Sequence, residues 1–129
     1  MSMLIDFLAL PDVTDITEEV YINDRIGTFT VKPMTAEQHA DYQKRCVIKL
    51  RKGERDFDTV KFRLLVVTGQ TVKPNFSDAE FLKKAGAATA RDFITKKLLS
   101  GEIAELAEKI IRISGFEEDL EEEVEDAKN

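Results

Sequence analysis

Between Thr71 and Phe116 glycines stand at near-regular intervals, and this punctuation limits the fold more than any other feature of the chain. The stretch reads TVKPNFSDAEFLKKAGAATARDFITKKLLSGEIAELAEKIIRISGF. Ser77-Asp78-Ala79-Glu80 has the form of a capping box, in which a polar N-cap side chain and an acidic side chain three residues on satisfy the free amides of a first turn. It predicts a helix over 77–85, closed by Gly86. A second helix is expected over 87–99, interrupted by Gly101, and a third over 102–114. In the third, Ile103, Leu106, Ala107, Ile110 and Ile113 form an apolar stripe, with Glu105, Glu108, Lys109 and Arg112 outside it. Gly115 suits a left-handed cap that folds Phe116 back onto Ile111.

The preceding 70 residues read as a small β-and-helix platform. Leu4, Phe7 and Leu8 stand at i, i+3 and i+4 ahead of Pro11, the pattern of a short amphipathic helix. So short a helix is marginal alone and is expected to dock on the chain's own core. A β-hairpin over about 19–32 follows, with Val20, Tyr21 and Ile22 facing Thr28 to Val31 across Asn23-Asp24 and Gly27. Alternation puts Phe29 and Val31 on one face. Thr35-Ala36-Glu37-Gln38 is a capping box that predicts a helix over 36–50, stopped by Lys52-Gly53. Asp56 or Asp58 then caps a helix over 57–68, with Gly69 as its stop. The run Phe62 to Val67 also suits a buried strand by propensity, and the Val60–Leu64 spacing favours helix. The expected class is α+β, mostly helical: one domain over 1–116, an N-terminal hairpin against about four to five short helices, and a flexible acidic tail over 117–129.

Charge and composition narrow the chemistry. From Glu117 to Asp126 there are eight acidic residues and no basic one, and with Lys128 the tail carries −7. The remainder holds 18 basic and 17 acidic residues, too near neutrality to attract a phosphate backbone generally. Residues 44–63 hold eight basic and three acidic side chains, which would suit a nucleic-acid patch or a dock for the acidic tail. A solvated face is the plainer reading, because only Phe57 and Phe62 interrupt the charges. The one histidine, His39, and the one cysteine, Cys46, stand two helical turns apart, about 10 Å. That is too far for one metal or for a nucleophile–base pair. Carboxylates occupy cap and solvent-facing positions, and no phosphate loop or nucleophile elbow is present. No cofactor, no metal site and no catalytic residue is expected, and the chain is read as non-enzymatic. One cysteine and no long apolar run point to a cytoplasmic protein with no membrane partner.

Taken in order, certain blocks also resemble a known family. They are Phe29 to Thr35, Thr71 to Phe76, Lys84-Ala85-Gly86, Leu98 to Ile103, and Ile113 to Phe116. Across nearly the whole chain this arrangement resembles the XkdN-like tail assembly chaperones of long-tailed bacteriophages and prophages. The resemblance implies a protein that holds the tape-measure protein soluble during tail morphogenesis in the host cytoplasm and is absent from the finished tail. It also implies self-association into a homo-oligomer, and a longer frameshifted form that recruits the tail-tube protein. A helical client needs an apolar surface. The last helices offer Phe93, Leu98, Leu99, Ile103, Leu106, Ile110 and Phe116 as candidates for client binding and self-association. A small nucleic-acid-binding or regulatory adaptor built on residues 44–63 is the alternative.

Overall fold

The computed structural model describes residues 3–116, and the acidic stretch 117–129 lies outside them. The described chain is α+β and mostly helical, with a small antiparallel sheet at its N-terminal side. Strands β1 (Glu18–Asn23) and β2 (Gly27–Val31) form the expected hairpin, with Val20 opposite Phe29. A third strand, β5 (Thr71–Lys73), adds to the free edge of β2 and sets the order β1-β2-β5. The alternation holds, since Val20, Ile22, Phe29 and Val31 are buried on one face.

That face is covered by α3 (Thr59–Gln70) and α6 (Ser100–Ile113), whose side chains complete the core. Residues 62–67 are helical. Asp58 caps the first turn, its carboxylate accepting from the Lys61 amide at 3.0 Å. Phe62, Val66 and Gln70 are buried at i, i+4, i+8, and Leu64 and Val67 are buried on a second side. A helix packed on two sides loses its amphipathic period, and for that reason the run looks strand-like in sequence. Each fully buried aliphatic side chain here contributes roughly 1.5–3 kcal/mol.

Gln70 closes the junction between helix and sheet. Its Nε2 donates to the Pro33 carbonyl at 2.9 Å, while its Oε1 accepts from the Tyr42 hydroxyl at 2.8 Å. An aromatic ladder runs outward from the sheet, with Phe29 against Phe76 at 5.8 Å, Phe76 against Phe93 at 6.0 Å, and Phe93 against Phe81 at 4.8 Å. It carries α4 (Ala79–Ala85) and α5 (Ala90–Lys97).

Several expectations are corrected. The helix expected over 36–50 ends at Arg45, so that α2 is Ala36–Arg45. Strands β3 (Val47–Lys49) and β4 (Arg55–Phe57) follow, a second hairpin with Val47 opposite Phe57. Lys52 and Gly53, read as a helix stop, form its turn, both at positive φ. Gly69 does not end α3. It lies inside the last turn because the Tyr42 ring crosses there, leaving no room for a β-carbon. Asp78, rather than Ser77, caps α4, accepting from the Phe81 amide at 2.9 Å. Helix α5 is shorter than 87–99 because Thr89 is its cap, and α6 begins before Gly101, which sits in its first turn. Phe116 stacks at 4.9 Å on the ring of His39.

The largest correction concerns α1 (Met3–Leu8). It forms, but it does not dock on the core: every residue from 3 to 19 is exposed. The core on which it was expected to dock is already closed by the sheet, α3 and α6.

Candidate functional site

The junction between α5 and α6 is built around a buried carboxylate. Glu102 is 4% exposed, and its side chain turns back to accept from the Leu99 amide at 2.7 Å, satisfying a free donor of the first turn of α6. It also accepts from Asn23 Nδ2 at 2.9 Å and Arg25 Nε at 3.0 Å, with Arg25 completing a forked ion pair. Arg25 Nη2 donates in addition to the Lys97 carbonyl at 2.9 Å. The Arg25 guanidinium is the main reason that the Glu102 carboxyl is held at about 2, with the Asn23 and Leu99 donors adding to it against the opposing effect of burial. The turn of the first hairpin is thereby fastened to the start of α6. Neither Glu102 nor Arg25 is distinguished in the sequence. The one signal is an acidic residue three positions after Leu99, half of a capping box.

Next to this fastening a groove of about 200 Å³ opens between α3, the end of α5 and the start of α6. Val60, Leu64, Leu98 and Ile103 supply its apolar lining, and Arg63, Thr95 and Ser100 its polar lining. Val60 is 64% exposed, and Leu99, adjoining the groove residues in sequence, is 62% exposed. A second, polar cleft of about 590 Å³ lies between α2 and α3, where Arg45 pairs with Asp41 at 3.1 Å.

Of the seven apolar residues named from sequence, Leu98 and Ile103 line the groove and Leu99 sits beside them. Phe93 is part of the aromatic ladder. Leu106 and Ile110 have no exposure at all and belong to the core, so as surface candidates they are corrected. They lie on the α6 stripe that meets α3 and the sheet. Phe116 lies beyond the other end of α6, about 20 Å from Leu99 at 1.5 Å per residue over a 14-residue helix. Val60 and Leu64 are the apolar groove residues that were not among the seven candidates.

The one thiol and the one imidazole are both held in apolar surroundings. Cys46 is buried, and burial pushes its thiol up, away from the reactive thiolate. The His39 ring lies between Phe62 at 6.1 Å and Phe116, and burial lowers its pKa. Among the described residues, no cluster of three histidine, cysteine or acidic side chains is placed to hold a metal ion. No helix among them is long and apolar enough to cross a membrane. Fold and groove together define a small, mostly helical α+β protein that leaves apolar side chains exposed beside the start of α6.

Comparison with known proteins gives that class its family. Residues 4–128 match the family of phage XkdN-like tail assembly chaperone proteins. The chain is 33% identical over 107 residues to the phage-like element PBSX protein XkdN of Bacillus subtilis strain 168, covering 78% of this chain and 72% of the relative. It is equally similar, at 33% over 107 residues, to the uncharacterised protein YqbN of the same strain, covering 71% of that relative. A crystal structure of YqbN superposes with a TM-score of 0.55 at 21% identity, over 78% of this chain and 87% of the other, and shows a shared fold. The chain belongs to the XkdN-like tail assembly chaperone family.

Proposed function

We propose that this chaperone holds the tape-measure protein of a phage-like tail soluble until the tail tube forms around it. Its role is non-enzymatic and is carried out in the cytoplasm of the host bacterium, and the protein is absent from the finished tail. A tape-measure protein is a long helical client with apolar stripes, and such a helix is received by an apolar groove between helices. The observation that supports this reading is the exposed groove lined by Val60, Leu98 and Ile103, with Leu99 beside it, on a chain of a tail assembly chaperone family. A long client offers many sites, so several copies act together, and a longer frameshifted form would add a contact to the tail-tube protein. The test is co-expression with the tape-measure protein, reading the client's soluble fraction. The wild-type chain should raise that fraction, and Leu99→Asp with Ile103→Asp should abolish the gain. An equally insoluble client with and without the chaperone would refute the proposal.

A further inference from the structure

Two further parts of the described chain leave apolar side chains uncovered, and they match each other. The first is the N-terminal segment. All of its described residues, from 3 onward, are exposed, with Leu4 at 76%, Phe7 at 63% and Leu8 at 86%. Residues 3–16 carry three acidic side chains, Asp6, Asp12 and Asp15, and no basic one. The second is the β3–β4 hairpin with the start of α3. Every residue from 47 to 57 is exposed, including Ile48 at 41% and Leu50 at 47%, and Val60 follows. Residues 44–63 carry eight basic side chains against three acidic ones, Glu54, Asp56 and Asp58, of which Asp58 is engaged in capping α3.

Each part is also marginal as it stands. A six-residue helix gains too few backbone bonds to hold itself in water. A two-stranded ladder of three-residue strands is no more secure alone. We propose that the N-terminal segment of one copy docks on the β3–β4 hairpin and the start of α3 of a second copy. The helix lays its Leu4–Phe7–Leu8 stripe on Ile48, Leu50 and Val60, and the segment's carboxylates, Asp6 on the helix with Asp12 and Asp15 after it, face the basic excess.

Both parts stay exposed within one chain, so a contact between copies is the arrangement that covers them. The acidic stretch after Phe116 is a poorer occupant, because it offers only Leu120 and Val124 as apolar residues. Every copy carries one segment and one hairpin, so the contact is head-to-tail and can repeat along an array. It rests on the chaperone reading only for the use of such an array, the coating of a long client.

The experiment is sedimentation velocity of the full chain alone, with no client present, so its result is independent of the solubility assay. Wild type should associate in a concentration-dependent way beyond a dimer, and added salt should weaken the association. Leu4→Asp with Phe7→Asp removes the segment's stripe, and Ile48→Asp with Leu50→Asp removes its seat. Each variant alone should associate at least about tenfold more weakly, as expected when anchor residues are lost. An equal mixture of the two retains one intact segment and one intact seat, and should form a one-to-one dimer that grows no further. If circular dichroism shows the hairpin variant unfolded, Arg51→Glu with Lys52→Glu replaces it. A wild-type monomer at every concentration overturns the proposal, whether or not its segment folds back on its own hairpin. So does a segment variant that assembles like wild type, or a mixture that does not pair.

Discussion

Gly69→Ala tests the packing of α3 most sharply, because local and tertiary effects oppose each other there. In an ordinary helix interior the change would gain about 0.5–1 kcal/mol from reduced backbone entropy. Here the added methyl would overlap the Tyr42 hydroxyl and stand 3.0 Å from ring carbon Cζ. Tyr42 must then swing away or be compressed. Swinging away breaks its 2.8 Å bond to Gln70 Oε1, whose side chain is fully buried, and an orphaned buried acceptor costs about 1–3 kcal/mol. Compression of a packed site costs a similar amount, about 1–3 kcal/mol. Subtracting the helix gain leaves a net loss centred on about 1 kcal/mol, within a span of about 0–2.5 kcal/mol. Urea unfolding followed by far-ultraviolet circular dichroism measures it, the chain having no tryptophan for fluorescence. In a Tyr42→Phe background the hydroxyl is gone, and the same glycine change should cost much less. A Gly69→Ala protein more stable than wild type, as an unobstructed helix site would give, or an undiminished penalty beside Phe at position 42, would refute the reasoning.

Other outcomes follow from the same structure. The Glu102 carboxyl is lowered from 4.5 to about 2 on folding, so its contribution to stability is complete above about pH 4.5 and fades as the pH falls through about 2. Melting temperatures across that window should show the decline, and Glu102→Gln should remove this component while lowering stability at neutral pH. Leu106→Ala empties a fully buried site and should cost about 2–5 kcal/mol, whereas Leu99→Ala at the exposed rim should stay within about 0.5 kcal/mol by urea unfolding. Asp58→Ala removes the cap of α3 and should cost about 1 kcal/mol in the same assay, with Asp58→Asn retaining most of it.

What the sequence determined by itself was local. The capping box Thr35–Gln38 forms as read, with the Thr35 hydroxyl accepting from the Gln38 amide at 3.1 Å and the Gln38 side chain accepting in return at 2.9 Å. Asp58 caps α3, and Gly86 takes the left-handed backbone that closes α4. Caps and left-handed turns depend on atoms three or four residues apart, so the residue types suffice to place them. The alternation of Val20, Ile22, Phe29 and Val31 was legible for a similar reason, since a strand repeats every two residues.

The tertiary structure decided which apolar surfaces are covered. Leu106 and Leu99 stand seven residues apart and would share one face of a continuous helix, yet one is fully buried and the other exposed, because Leu99 is the extended residue that caps α6 and Leu106 lies inside the helix within the core. Competition for a single core left α1 uncovered. Gly69 reads as a stop in sequence and is instead a clearance for a tyrosine 27 residues earlier. Arg25 reaches Glu102 across 77 residues and fastens the first hairpin's turn to the start of α6. No local pattern encodes such a contact, because its energy exists only once distant segments have been brought together.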